Sequence, residues 1–159
     1  MEEMKFVLFT LGEHYYGIPL YEINSIEQSY KLVPVPMGAK YVKGLMHLRN
    51  EVIPVYDLKE KFNIDRTPRD HQLLVGETHG FRVGLEVDEV VGIIPIPDEN
   101  IKEVPKLVET DETNYLGAVV RVTLPSGEEG LVLVLEIDHI MSEEDFERLQ
   151  RAVEERSQE

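Results

Sequence analysis

The two halves of this 159-residue chain repeat one another, and the repeat limits what it can fold into. Tyr16-Gly17-Ile18-Pro19-Leu20-Tyr21-Glu22-Ile23 is answered by Val83-Gly84-Leu85-Glu86-Val87-Asp88-Glu89-Val90, an offset of 67 (84 − 17). Val33-Pro34-Val35-Pro36 is answered by Ile94-Pro95-Ile96-Pro97, and Tyr41-Val42-Lys43-Gly44-Leu45 by Asn114-Tyr115-Leu116-Gly117-Ala118. Val52-Ile53-Pro54-Val55-Tyr56-Asp57-Leu58 is answered by Leu131-Val132-Leu133-Val134-Leu135-Glu136-Ile137. The order is kept while the spacing drifts with loop length. This predicts two similar β units side by side, with a seam between them where ligands and partners tend to bind.

Composition removes several classes of function. The chain has no cysteine, which excludes disulfides, thiol chemistry and thiolate zinc sites. No stretch nears the ~20 apolar residues of a membrane span, and the acidic start Met1-Glu2-Glu3 is unlike a secretory signal; a cytoplasmic protein is expected. The net charge of −15 is uneven: residues 1–80 carry 9 Lys+Arg against 11 Asp+Glu, and residues 81–159 carry 7 against 20. Such a surface repels phosphate backbones and anionic lipid, so neither nucleic acid nor direct membrane binding is expected. The excess charge serves either solubility or attraction of a basic partner patch.

Local patterns fill in the β units. Phe6 to Leu11 and Tyr15 to Leu20 form a hairpin around Gly12-Glu13, and Glu22 to Ile26 continues the second strand. Pro34 and Pro36 mark an edge or irregular extended segment. Gly44 to Leu48 pairs with Val52 to Tyr56 across Arg49-Asn50-Glu51, where Asn tolerates a left-handed backbone. Lys59 to Phe62 reads as one helical turn. Leu73-Leu74-Val75 pairs with Phe81 to Val87, and Val119 to Leu124 pairs with Leu131 to Ile137 across a turn-rich loop. Asp98 to Asn114 reads as a surface connection. Ser142-Glu143-Glu144-Asp145 resembles a capping box, and Phe146, Leu149 and Val153 share one helical face, which predicts a terminal amphipathic helix.

A search for reactive constellations finds none. There is no Gly-rich phosphate loop and no nucleophile elbow. His14, His47, His71, His79 and His139 make no metal-binding pair by spacing. Asp57 and Glu136 occupy matching repeat positions at strand ends, where they are expected to cap the following turns. A binding module without metal or cofactor is favoured over an enzyme.

At Gly17-Ile18-Pro19-Leu20, Pro34-Val35-Pro36, Val42-Lys43-Gly44-Leu45, Leu48-Arg49-Asn50, Val52-Ile53-Pro54-Val55 and Asp57-Leu58 the sequence resembles the CheW family of chemotaxis coupling proteins. The resemblance continues through Gly84-Leu85-Glu86-Val87-Asp88-Glu89-Val90 to Leu133-Val134-Leu135-Glu136-Ile137-Asp138, so it covers nearly the whole chain. It implies a mainly β fold: two intertwined SH3-like five-stranded β-barrels with a C-terminal α-helix. A CheW-like domain over 4–141 would divide into a first barrel at about 15–80 and a second at about 81–141 plus the N-terminal strand, with the helix at 142–157.

The resemblance also implies a function. CheW is not an enzyme; it is an adaptor, a scaffold in chemotaxis signal transduction that works through protein–protein interaction. It couples the cytoplasmic hairpin tips of chemoreceptors (methyl-accepting chemotaxis proteins) to the histidine kinase CheA, whose regulatory domain it resembles, and it is a monomer when isolated. Ile23 and Ile26 fall on the segment that lines the family's receptor groove, and ordinary barrel core is their other reading. Lys43 and Arg49 are further receptor- or kinase-contact candidates, Arg49 matching the Arg of the family's Leu-Arg-Gly turn. Gly44, Asn50 and Gly84 are candidate structural turn positions.

Three departures stand out: Asn50 replaces the usual Gly, Ser25 stands where many members carry an acid, and Val122 to Gly130 is longer than the family's hairpin. They leave room for an alternative, a divergent CheW-like structural protein that fills array positions without activating the kinase. A small acid–base hydrolase is a third class, disfavoured by the missing convergent site.

Overall fold

The computed structural model describes residues 3–34, 42–62, 64, 71–78, 80–97, 101–102, 116–140, 147 and 151. Strands β1 (Glu3–Leu11) and β2 (His14–Pro19) form the first hairpin, turning at Gly12 with φ +63°. A 3-10 turn at Leu20–Glu22 leads to β3 (Ile23–Glu27). Strands β4 (Val42–Leu48) and β5 (Glu51–Asp57) form the second hairpin, followed by α1 (Leu58–Lys61). The other half repeats this order as β6 (Gln72–Thr78), β7 (Phe81–Val87), β8 (Glu89–Pro97), β9 (Ile101–Lys102), β10 (Leu116–Thr123), β11 (Glu129–Leu135) and α2 (Ile137–Ile140).

The halves exchange strands. One sheet has the order β8-β1-β2-β11-β10-β9 and the other β3-β6-β7-β5-β4. Each therefore combines the first hairpin of one half with later strands of the other. β2, expected in the first unit, pairs with β11; β7, expected in the second, pairs with β5. Both ladders are parallel and share a register: Gly17 faces Val134, and Gly84 faces Val55.

The repeat reaches the irregularities as well. β3 bulges between Ile23 and Ser25 against β6, and β8 bulges opposite Leu8/Phe9 of β1, at positions related by 67. The β4–β5 ladder shifts between Val42 and Gly44 opposite Tyr56/Val55, and the β10–β11 ladder between Leu116 and Ala118 opposite Leu135/Val134. Lys43 therefore matches Gly117 in register, one residue away from the match that the sequence echo of Gly44 predicts.

A bulge changes which residues share a face, so conserving its place within both halves keeps the same apolar residues turned inward. Val7, Phe9, Leu11, Tyr16 and Ile18 from one sheet meet Tyr56, Leu74, Val83, Leu85 and Val87 from the other in a shared core. Phe6, Ile96, Val120 and Val134 pack separately on one side, and Met46, Ile53, Val55, Leu73 and Val75 on the other.

The short helices dock across halves. Asp57 caps α1, accepting from the Glu60 N–H at 3.1 Å. Lys59 of α1 pairs with the buried Asp88, which also accepts the Gly12 N–H at 2.7 Å. Asp138 of α2 accepts from the Thr78 hydroxyl at 2.5 Å. Ile137 belongs to this helix and not to the preceding strand, which ends at Leu135. The terminal helix expected over 142–157 falls outside the described residues save Glu147 and Arg151, both helical. The helix described in this region is the four-residue α2.

Candidate partner-binding surface

β3 is an edge strand, paired only with β6 among the described strands. Ile23 and Ile26 are three residues apart, a spacing that puts side chains on opposite faces of a regular strand. The bulge at Asn24 resets the parity. Ile26 then pairs in register with Leu74, whose side chain belongs to the shared core, so both isoleucines face the seam. Ile23 packs against that core, while Ile26 remains 39% exposed.

The repeat supplies a twin that the sequence reading missed. Ile93 lies 67 residues after Ile26, on the edge strand β8, paired in register with the core residue Val7 and 52% exposed. Applying the offset to Ile26 would have found it.

Arg49 and Asn50 join β4 to β5 at the far side of the same sheet, with φ of +48° and +71°. Two consecutive positive φ values in a two-residue loop are the signature of a type I′ turn, which matches the twist of the flanking strands. Asn50 accepts this conformation readily. Arg49, with a full side chain, does so at a cost of about 1 kcal/mol, and its side chain projects into solvent. The neighbouring Glu51 pairs with Arg82 of β7 at 3.4 Å.

Gly44 has ordinary backbone angles; its role is close packing. A Cβ there would lie 2.8 Å from the Val33 carbonyl oxygen. Gly84 is a packing position too, since a Cβ would meet Leu73 at 3.0 Å. Lys43 extends along the sheet to Glu86, Nζ to Oε1 2.6 Å. Ser25 donates to Glu27 Oε1 at 3.2 Å, so a carboxylate stands two residues beyond the departure noted above. Ile23 and Ile26 thus lie on one edge of the five-stranded sheet, and Lys43 and Arg49 on the other.

Next to β3, Glu22, Glu77, Glu136 and Asp138 line an open cleft of about 490 Å³. Tyr21 stands at its rim, 75% exposed, its phenol raised above the ordinary value by desolvation and then by the charges of Glu22, Glu136 and Asp138. Among the described residues no three His, Asp or Glu side chains gather as metal ligands. None of the described helices is long and apolar enough to cross a membrane.

Comparison with known proteins agrees with this architecture. The family model for the CheW-like domain matches residues 5–145. The chemotaxis protein CheW of Treponema pallidum is 27% identical over 93% of this chain and 88% of its own. That of Klebsiella aerogenes is 29% identical over 89% and 84%. The crystal structure of the scaffolding protein TtCheW from Thermoanaerobacter tengcongensis superposes with a TM-score of 0.79 at 24% identity, covering 91% of this chain and 96% of that one, a likeness of fold. With its strand-exchanged halves, its twin edge isoleucines and a family match spanning nearly its whole length, the chain belongs to the CheW-like family.

Proposed function

We propose that this protein is a non-enzymatic cytoplasmic adaptor of chemotaxis, coupling the cytoplasmic hairpin tips of chemoreceptors to the histidine kinase CheA. The observation that carries the reading is the bulge-set placement of Ile23 and Ile26 on one face of an edge strand beside the shared core. An amphipathic receptor helix gains most from such a rigid apolar rim, in the helix-in-groove mode. Arg49, held at the tip of a tight turn at the opposite sheet edge, would offer a guanidinium to CheA's regulatory domain. The two surfaces belong to different strands, β3 and the β4–β5 turn, so that each partner would have its own contact residues on one monomer.

Co-sedimentation with CheA and receptor-containing membranes tests this. Entry into the pellet with raised kinase phosphorylation is expected. A folded protein that stays in the supernatant with matched partners refutes it. A second reading, an array-filling protein that binds without stimulating, is favoured by Ser25 in place of an acidic side chain. Pelleting without stimulation would select it.

A further inference from the structure

The five-stranded sheet has β3 and β4 as its two edges, and the segment leaving β3 must cross to β4 to close the barrel. Among the described residues that crossing is held by one backbone bridge: Val33 N–H to Leu45 O at 2.8 Å and Leu45 N–H to Val33 O at 2.9 Å. Beside the bridge lies a polar cluster. Glu86 of β7 accepts from the Tyr30 hydroxyl at 2.5 Å and from Lys43 Nζ at 2.6 Å. Its side chain is only 11% exposed, and Asp57, another buried carboxylate, faces it across the β5–β7 ladder. A carboxylate so placed is costly unless its oxygens are paired, and here each has a donor from a different chain segment. Burial and the bond to Glu86 raise the Tyr30 phenol well above its ordinary value, so it remains a donor.

The fold itself does not require this cluster. Under the internal repeat the position of Glu86 is taken by Pro19 (86 − 67), and the register position of Lys43 by Gly117. Neither can reproduce the pairing. Among the described residues the other sheet pairs its matching edge through Lys102 with Val119 and Ile101 with Val120.

We propose that Tyr30, Glu86 and Lys43 form a clasp that locks the segment following β3 onto β4, so that the strand bearing Ile26 and the hairpin bearing Arg49 respond as one body. Lys43 is on this account a positioning residue, not a partner contact. The coupling half of the proposal rests on the adaptor reading above; the lock itself does not.

The test uses the full chain and its Tyr30→Phe, Glu86→Gln, Lys43→Met and Lys43→Arg variants. In hydrogen–deuterium exchange, the amides of Val33 and Leu45 are expected to exchange about tenfold faster in the first three variants. The β6–β7 ladder stays as protected as before, and Lys43→Arg largely restores the wild-type rate. In reconstituted arrays, the same three variants are expected to lower kinase stimulation about fivefold while binding to CheA alone and to receptor membranes alone is kept. Unchanged exchange at Val33 and Leu45 overturns the clasp. Faster exchange with undiminished stimulation overturns its coupling role. A wild-type protein that neither binds nor stimulates overturns the adaptor reading, while the exchange result still decides the lock.

Discussion

Replacing Gly44 by Ala gives the sharpest test of how the first barrel closes. The new methyl would stand 2.8 Å from the Val33 carbonyl oxygen and 3.3 Å from its carbon, both backbone atoms that cannot swing aside. The segment must therefore lift away from β4, and the two hydrogen bonds of the Val33–Leu45 bridge go with it. At about 0.5–1.5 kcal/mol each, their loss costs about 1–3 kcal/mol. Ala also reduces the freedom of the unfolded chain, which returns about 0.4–1 kcal/mol. The net expectation is a destabilisation of about 0–2.6 kcal/mol, centred on about 1.3, a fall in Tm of up to about 10 °C for a chain of this size. Gly92→Ala is the control, because a Cβ there meets nothing within 4 Å and its φ is not positive. It should be neutral or slightly stabilising. Urea denaturation followed by circular dichroism measures both. If Gly44→Ala were as stable as Gly92→Ala, close approach at the bridge would not be what excludes a side chain there.

Arg49→Asn should stabilise the hairpin by about 0.5–1 kcal/mol, because Asn accepts a positive φ at less cost, yet lower kinase stimulation; activity that rises with stability would rule out a role for the guanidinium. Asp88→Asn should cost about 2–4 kcal/mol in urea denaturation by leaving Lys59 without its partner, and a Lys59→Met, Asp88→Asn double variant should lose less than the sum of the two singles. Because Tyr30 has a raised phenol pKa in the folded state, its contribution to stability is fully present below the unfolded value of about 10 and declines as pH rises above it. Comparing wild type with Tyr30→Phe across alkaline pH by phenolate absorbance and denaturation would detect this, and identical pH–stability curves would count against it. Ile26→Glu and Ile93→Glu should each change stability by less than about 1 kcal/mol, since both side chains are already part-exposed, while Ile26→Glu reduces receptor co-sedimentation about tenfold or more.

Much of the local structure is written in residue patterns. The apolar runs, the Gly12 turn and the Arg49-Asn50 tip specify three of the antiparallel hairpins, and Asp57 ahead of Leu58 specifies the helical turn it caps. The exchange of strands between halves has no such local mark. Parallel pairing of β2 with β11 joins segments more than a hundred residues apart, and a repeated sequence is compatible with pairing within or between its copies. By spacing alone Ile23 and Ile26 face opposite ways; the marks of the two bulges, Asn24 itself and Gly92 beside Val91, are single residues inside apolar strand patterns. Glu86 reads as repeat noise against Pro19 until its two donors are seen in space. Ile137 is a different case: its repeat partner Leu58 opens α1, so its helical turn was inferable from the repeat, and the apolar run from Leu131 masked it.

Strand exchange also sets a timetable during synthesis. The β1–β2 hairpin emerges early, but its neighbour β8 follows only at Glu89–Pro97 and its neighbour β11 only at Glu129–Leu135. At about 5–20 residues per second, the interval between Tyr15 and its parallel partner Val132 lasts roughly 6–23 s. Until β11 is made the outer edge of β2 stands unpaired, and until β8 is made so does that of β1. A nascent chain of this fold therefore carries unpaired β1 and β2 edges for much of its synthesis, and slow codons before β8 would lengthen that exposure.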